Sequence, residues 1–170
     1  AQRYLQQGIT VNHQDIVITS GAMEALNLSL QTVTQSGDYV VIESPAFYGA
    51  LQAVERLGLK PIEVDVCPVN GLDIEQFESV LKNHNVKACW LMTTFQNPTG
   101  TSLSEEAKRR VVEIAEQHET YIIEDDVYGD LYFEGHKPKP LKAFDNTDSV
   151  LLCGYSNSKS HCLPRLFSRG

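Results

Sequence analysis

Apolar positions along the chain follow two alternating patterns. Short apolar runs, several of them rich in β-branched residues, predict β-strands over residues 16–19, 39–42, 61–66, 88–92, 121–124 and 149–153. Between these runs, apolar residues recur every three or four positions, which predicts α-helices over residues 23–33, 50–57, 74–81 and 107–115. Strands that alternate with helices favour a parallel sheet. The pattern therefore predicts an α/β fold of three layers, in which a mostly parallel sheet carries helices on both faces.

Small and polar residues predict where the helices begin and end. Gly58 follows the second predicted helix and suits the position just after a helix C-terminus. Asp73 is the predicted N-cap of the third helix, and Ser102 with Glu105 predicts a capping box before the fourth.

Two further expectations concern exposure. Leu28 widens the apolar surface of the first helix, so this helix is expected to be well buried. Residues 135–140 contain two prolines and are expected to form an exposed connector.

Composition and charge narrow the possible classes of protein. The chain has 170 residues, 42% of them hydrophobic, with no internal repeat or linker, and one domain is expected. Its 14 basic and 22 acidic residues give a net charge of −8, which disfavours a broad nucleic-acid surface.

The cysteines, the histidines and the N-terminal residues bear on redox state, metal binding and localisation. Four cysteines and five histidines are scattered without metal-ligand spacing, which predicts reduced thiols and no metal site. No apolar run reaches the roughly 18–20 residues of a membrane span. The start lacks both the pattern of a signal peptide and a Met, so we expect a cytoplasmic protein cut from a longer one.

Candidate chemistry collects where predicted strands end. Gly21, Ala22 and Met23 lie between a strand and a helix N-terminus, where free N–H groups and the helix dipole favour a phosphate. A tight turn without ligand is the alternative. Phe47 and Tyr48 follow the second strand, where an aromatic ring could stack on a flat heterocycle or simply pack in the core.

The later strand ends add hydrogen-bonding and charged groups. Asn97, in an Asn-Pro-Thr-Gly loop, either forms a simple turn or donates to a ligand oxygen. Asp125 and Tyr128 follow the next strand, where a carboxylate can hold a cation, although a solvated acidic loop is the alternative. The last strand is followed by residues that supply two hydroxyls and an amine, namely Ser156, Ser158 and Lys159.

One ligand accounts for this set of groups. Ligands of open α/β sheets bind outside the carboxyl ends of the strands. An anion site, a stacking ring, an amide, a carboxylate and an amine at that edge suit a flat, phosphorylated aromatic aldehyde that condenses with lysine. That description fits pyridoxal phosphate, whose expected protein partners are a Schiff-base lysine and an acidic residue at the pyridine nitrogen.

The order of the motifs resembles class I/II aminotransferases of fold type I. The motifs are Ser-Gly-Ala at 20–22, Pro-Ala-Phe-Tyr-Gly at 45–49, Asn-Pro-Thr-Gly at 97–100, Asp-x-x-Tyr at 125–128 and Ser-x-Ser-Lys at 156–159. Within that family, residues 18–25 and 43–49 look most like the aminotransferase domain of GntR/MocR-type transcriptional regulators. The resemblance extends from about residue 10 to Lys159.

The resemblance implies a role for each predicted site residue. Phosphate contacts are expected from Gly21, Ala22, Met23, Ser156 and Ser158, and stacking on the pyridine ring from Phe47, with Tyr48 as the less favoured ring. The remaining expected roles are hydrogen bonds to the 3′ oxygen from Asn97 and Tyr128, a charge pair with the ring nitrogen from Asp125, and covalent binding of the cofactor by Lys159. Lys159 is also expected to move the α-proton of an amino-acid substrate, completing half of a transamination to a 2-oxo acid.

The chain departs from the family pattern at its end. In the family, a small Pro-Gly-type stretch and a phosphate-binding arginine follow the lysine, whereas Arg165 and Arg169 here stand at other offsets. Family members are also more than twice as long, with a C-terminal small domain and an active site shared across a dimer. Residues 1–170 are therefore expected to be a partial cofactor-binding large domain, truncated at both ends, with poor turnover alone.

Two other functions stay open beside the aminotransferase. The chain could be the effector-sensing domain of a transcription regulator, which would contact nucleic acid only through a missing N-terminal domain. It could also be an inactive remnant. The full-length protein is expected to be a homodimer without membrane attachment.

Overall fold

The fold was obtained as a computed structural model, which describes residues 5, 8–133, 135 and 137–154. Its six strands are β1 (Tyr39–Ser44), β2 (Lys60–Cys67), β3 (Gly71–Leu72), β4 (Val86–Leu91), β5 (Tyr121–Asp126) and β6 (Val150–Gly154). Its helices are α1 (Ala22–Val33), α2 (Tyr48–Arg56), α3 (Ile74–Asn83) and α4 (Glu105–Gln117), with short 3₁₀ turns at His13–Asp15 and Leu141–Phe144.

The six strands form one sheet in the order β3-β2-β1-β4-β5-β6. Five of them run parallel, and only β3, at one edge, pairs antiparallel with its neighbour β2. The expected α/β fold with a mostly parallel sheet is therefore confirmed.

Each face of the sheet has its own apolar core. Phe77 of α3 and Val111 of α4 pack with Ile122 on one face, whereas Leu30 of α1 and Val54 of α2 pack with Ile123 on the other. Because neighbouring residues of a strand point to opposite faces, β5 contributes to both cores. The predicted three layers follow from this alternation.

Two predicted helix boundaries agree with the structure. The Asp73 carboxylate accepts a hydrogen bond from the Gln76 N–H at 2.9 Å, as an N-cap does. Gly58 follows α2 with φ +66°, a left-handed conformation that glycine adopts without steric cost.

The prediction of a strand over residues 16–19 was wrong. Val17 and Ile18 are 79% and 93% exposed, and among the described residues no strand pairs with this segment. β-branched residues favour a strand only where a neighbouring strand accepts their hydrogen bonds and packs their side chains. The β-propensity of residues 16–19 is therefore not sufficient to make them a strand.

The predicted start of the last helix was two residues early. Ser104, not Ser102, caps α4 by accepting a hydrogen bond from the Ala107 N–H at 3.1 Å. The Ser102 hydroxyl instead accepts from the Phe95 N–H at 2.9 Å and so closes the loop after β4.

Two expectations about exposure were also partly wrong. Leu26 and Leu30 of α1 are buried, but Leu28 is 46% exposed, so the apolar surface of α1 is narrower than expected. In the connector at residues 135–140, Pro140 is buried and the Lys139 carbonyl accepts a hydrogen bond from a buried side chain. The end of this connector therefore belongs to the interior.

None of the helices in the described part of the chain combines the length and apolar character needed to cross a membrane.

The strand order creates one point where successive connections diverge. From β1 the chain passes through α2 to β2 on one side, and from the adjacent β4 it passes through α4 to β5 on the other. Such a point leaves a crevice outside the carboxyl ends of the two strands, where ligands of this fold class bind. The segments after β1 and β4 are residues 45–47 and 92–104.

Candidate functional site

The turn before α1 has the properties of an anion site. Gly21 is the N-cap residue, and no neighbouring heavy atom lies within 4 Å of the position that a Cβ would occupy there. The first N–H groups of a helix have no partner within the helix, so they are available to an anion that binds at this turn.

A carboxylate shares the same turn. The Ser20 hydroxyl donates to the Glu24 carboxylate at 2.6 Å, and the hydrogen bonds from Ser20 lower the pKa of Glu24. Glu24 therefore already compensates part of the positive end of the helix dipole. An anion bound at Gly21 would share that dipole with Glu24.

The Phe47 ring is held beside the anion turn by a glycine. A Cβ at Gly49 would collide with Cε1 of Phe47 and would lie 3.2 Å from Cε of Met23. The half-buried Phe47 ring therefore lies in the space that a side chain at position 49 would fill. Tyr48, whose ring centroid is 4.7 Å from that of Phe47, is 72% exposed. Two predicted site residues, Met23 and Phe47, thus both lie next to Gly49.

We expect Gly49→Ala to displace the Phe47 ring and to weaken binding of pyridoxal phosphate about tenfold, the cost of one lost aromatic stacking contact. The measurement is a titration of the purified chain with the cofactor, followed by cofactor absorbance. Leu51→Ala, a truncation of a partly exposed residue on the same helix, is the control and should leave the affinity unchanged. An unchanged affinity for Gly49→Ala would contradict the stacking role of Phe47.

Gln96 links the two segments that diverge at the crevice. Its Nε2 donates to the Pro45 carbonyl at 2.7 Å, and its Oε1 accepts from the Thr99 N–H at 2.9 Å and from the Thr99 hydroxyl at 2.8 Å. Gln96 is buried and directly precedes Asn97. It therefore fixes the Asn97 loop relative to the segment that carries Phe47.

Asn97 itself stands in a compact turn. Its N–H donates to the Met92 sulfur at 3.0 Å, and the Gly100 N–H donates to the Gln96 carbonyl at 2.6 Å. The Asn97 side chain is half-buried at the carboxyl end of β4, as predicted.

Asp125 lies at the carboxyl end of β5 and is only 3% exposed. Alternation along the strand places it on the face of Ile123, the same face that packs against α1 and α2. Its register partner on β6 is Cys153. The half-buried Tyr128 follows in the turn after β5, so both predicted residues stand at the predicted edge.

Glu43 is a buried acid that the sequence analysis did not single out. It accepts hydrogen bonds from the Met92 N–H at 3.2 Å and from Gln96 Nε2 at 3.4 Å. Burial, with a smaller contribution from the negative charge of Asp125, raises the pKa of Glu43 to about 8. Such a residue could have been found from the sequence as an acid at the end of an otherwise apolar strand, as in residues 39–44 and 121–126.

A second group of acids flanks Asp125 on the opposite face of the sheet. Glu124 and Asp126 point toward the core that contains Ile122, together with the ammonium of Lys108. Burial, and then the charge of Glu124, raises the pKa of Asp126 to about 8. Asp125 and Asp126 are therefore adjacent in sequence but lie in different environments.

The structure thus positions part of the predicted site. The described positions are Gly21, Ala22, Met23, Phe47, Asn97, Asp125 and Tyr128, all at the turn before α1 or at the carboxyl ends of β1, β4 and β5. Ser156, Ser158 and Lys159 lie outside the described residues, as do Arg165 and Arg169. The open space at Gly21, the ring beside Met23 and the buried carboxylate fit a flat, phosphorylated, cationic ring.

Comparison with known proteins supplies an independent view of the chain. The sequence model of the family described as aminotransferase class I and II matches residues 1–166. The match extends beyond both ends of the span from about residue 10 to Lys159 on which the motifs were recognised.

Individual relatives include regulators and enzymes. The chain is 52% identical to the HTH-type transcriptional regulator YdcR of Escherichia coli over 163 residues, which are 96% of this chain and 34% of the regulator. It is 34% identical to the kynurenine aminotransferase of Pyrococcus horikoshii, whose crystal structure superposes with a TM-score of 0.83 over 92% of this chain and 39% of that chain. It is 28% identical to LysN, the α-aminoadipate aminotransferase of Thermus thermophilus, with a TM-score of 0.83 over 93% of this chain and 41% of that chain.

The chain spans about a third of the length of the curated relatives that it matches. The part that it shares with them contains the sheet and the four helices described above.

Proposed function

Because the chain belongs to the aminotransferase class I and II family, we propose that residues 1–170 form the cofactor-binding part of a pyridoxal phosphate-dependent aminotransferase. The observation that carries this proposal is the arrangement at the crevice. The Phe47 ring and the Met23 side chain both lie next to Gly49, while Asp125 is buried at the carboxyl end of β5. The kynurenine aminotransferase was crystallised with PMP and LysN with a phosphopyridoxyl-leucine, which supports a B6 cofactor for this chain as well.

The chain's own residues would divide the binding of the cofactor among them. Backbone N–H groups of Gly21, Ala22 and Met23 would hold the phosphate, and Phe47 would stack on the ring. Asn97 and Tyr128 would hydrogen-bond the ring oxygen. Ser156 and Ser158 would add phosphate contacts after β6.

Two residues would carry the chemistry. Pyridoxal phosphate, when bound, withdraws electrons from the α-carbon of an amino acid. The carboxylate of Asp125 would hold a proton on the ring nitrogen, which increases that withdrawal. The amine of Lys159 would bind the cofactor's aldehyde. Once the amino group of the substrate has displaced it, the freed amine would move the α-proton as a general base. The substrates would be an amino acid and a 2-oxo acid.

We further propose a setting for the protein that contains this chain. It would be a cytoplasmic homodimer, with no membrane attachment. Contact with nucleic acid would come only through a domain N-terminal to residue 1, by analogy with the HTH-type relative.

A second function is favoured by one observation, the 52% identity to an HTH-type regulator. In that case the domain would bind pyridoxal phosphate as an effector and would not sustain turnover. Adding to the cofactor-loaded protein an amino acid together with a different 2-oxo acid, which takes up the amino group and restores the cofactor's aldehyde, discriminates the two functions. Release of a 2-oxo acid in repeated cycles supports the enzyme, and a change in cofactor absorbance without release supports the regulator.

Borohydride reduction tests the cofactor assignment itself. We expect the chain, incubated with pyridoxal phosphate and then reduced, to carry one phosphopyridoxyl group on Lys159, located by peptide mass spectrometry. Reduction makes the lysine–cofactor bond permanent, so the adduct marks the residue that binds the aldehyde. Lys159→Arg is the control, since it keeps the positive charge and should carry no adduct.

Modification spread over several exposed lysines, without preference for Lys159, would contradict the proposal and leave an inactive remnant as the remaining interpretation.

A further inference from the structure

A lysine in α4 is buried on the face of the sheet opposite to Asp125. Lys108 is only 1% exposed, and its Nζ donates to the Thr94 hydroxyl and to the Lys139 carbonyl, each at 2.7 Å. Removing an ammonium group from water is costly unless other groups satisfy it. Two short hydrogen bonds and a nearby carboxylate do so here.

The nearby carboxylate is Glu124, which is also 1% exposed. Its Oε1 accepts from the Thr93 hydroxyl at 3.2 Å and from the Leu141 N–H at 2.6 Å, and its Oε2 accepts from the Lys142 N–H at 3.2 Å. Burial raises the pKa of Glu124 and lowers that of Lys108, and the attraction between the two charges opposes both shifts.

These bonds join three separate segments of the chain. Thr94 belongs to the loop after β4 and precedes Asn97 by three residues. Glu124 directly precedes Asp125 in β5. The Lys139 carbonyl and the Leu141 N–H belong to the segment that leads to β6. Lys108 therefore joins the loop after β4 to the connector through hydrogen bonds, and its charge attracts Glu124 at the end of β5.

We infer that Lys108 is a positioning residue, which holds the Asn97 loop and the end of β5 in the relative placement that the cofactor requires. This inference rests on the proposed function, because Asn97, Asp125 and Tyr128 are its proposed cofactor contacts. Lys108 itself acts from the opposite face of the sheet, through Thr94 and Glu124.

A purely structural role makes a different prediction. Apolar residues of similar volume often replace buried ion pairs with no loss of stability. If Lys108 only neutralised Glu124, a variant that lacks both charges would have the amide exchange and the cofactor affinity of the unsubstituted chain. An apolar side chain cannot reproduce the bonds to Thr94 and to the Lys139 carbonyl, so local order at the strand ends should stay reduced.

The test compares Lys108→Met, the double variant Lys108→Met/Glu124→Gln, and Thr94→Val. Lys139→Met is the matched control, because its side chain pairs with the exposed Glu105, while its carbonyl remains available to Lys108. Amide hydrogen exchange is measured on the cofactor-free chain, and cofactor affinity and the pH midpoint of cofactor absorbance are measured on the loaded chain.

We expect the double variant and Thr94→Val to fold, with exchange about tenfold faster at residues 94–97 and 125–128, the effect of losing one buried hydrogen bond. Their affinity for pyridoxal phosphate should fall about tenfold and the pH midpoint should move, for the same reason. Lys139→Met should match the unsubstituted chain. Thr94→Val removes only one acceptor of Lys108, so it still tests the positioning role of Lys108 if both Lys108 variants unfold.

Exchange and pH midpoint equal to those of the unsubstituted chain, in both Thr94→Val and the double variant, would overturn the inference. Failure of the proposed function looks different: the unsubstituted chain then binds no pyridoxal phosphate at all. In that event the exchange rates at residues 94–97 and 125–128 still decide whether Lys108 holds the two strand ends.

Discussion

Asp125→Asn is expected to weaken binding of pyridoxal phosphate about 100-fold or more, since removing one partner of a buried charge pair costs about 3–5 kcal/mol. Asparagine keeps the size of the side chain but cannot balance a protonated pyridine nitrogen. Asp125 is 3% exposed, so little water is present to replace the lost carboxylate. The measurement is a cofactor titration, together with the pH midpoint of the absorbance of the bound cofactor.

Asp126→Asn is the matched control for this prediction. Asp126 is the next residue of β5, so the control is the same change from aspartate to asparagine. Its side chain points to the opposite face of the sheet. Burial raises its pKa to about 8, so at neutral pH it is already largely uncharged and asparagine resembles its dominant form. Its affinity for the cofactor should change about twofold at most, because asparagine keeps the uncharged character of Asp126 and its side chain is on the face away from the proposed cofactor. Equal losses in the two variants would contradict the assignment of Asp125 to the ring nitrogen.

The second large effect is a loss of stability with rising pH. Glu43 and Asp126 both have a folded-state pKa of about 8, far above the usual carboxyl range. Between the unfolded and the folded pKa the folded chain binds more protons than the unfolded chain. Each group therefore lowers the free energy of unfolding by about 1.4 kcal/mol for every pH unit between roughly pH 5 and pH 8.

Glu43→Gln should remove one of these two contributions. Glutamine cannot ionise and still offers an oxygen to the Met92 N–H, so the variant should be more stable than the unsubstituted chain at pH 8. The gain should shrink as the pH falls and vanish below about pH 4, where Glu43 is largely protonated in the unfolded as well as the folded chain. Urea unfolding at a series of pH values measures the slope.

Glu63→Gln is the control for the pH series, because Glu63 is an exposed residue on the neighbouring strand β2. Its slope should equal that of the unsubstituted chain. A Glu43→Gln variant whose stability falls with pH as steeply as the unsubstituted chain would show that Glu43 does not titrate in this range.

The family and most of the fold could be predicted from the sequence. Local patterns were sufficient for β5, where an apolar run ends in carboxylates, and for α3, where Asp73 caps a helix whose face carries Phe77 and Leu81. The resemblance to class I/II aminotransferases, based on five short motifs, is confirmed by the match over residues 1–166. The individual roles of the site residues stay predictions, and those of Ser156, Ser158 and Lys159 concern residues that the structure does not describe.

The positions at which the chain changes from strand to helix, and the polar residues that follow each strand, can be read from local sequence, because these properties depend on neighbours within a few positions. Strand pairing and the contacts between distant polar groups depend on the three-dimensional arrangement. Residues 16–19 have strand-forming side chains but no partner strand among the described residues. Gln96 reaches Pro45 across 51 positions and Lys108 reaches Thr94 and the Lys139 carbonyl across 14 and 31 positions. Such contacts depend on how the sheet orders its strands, so no local pattern specifies them.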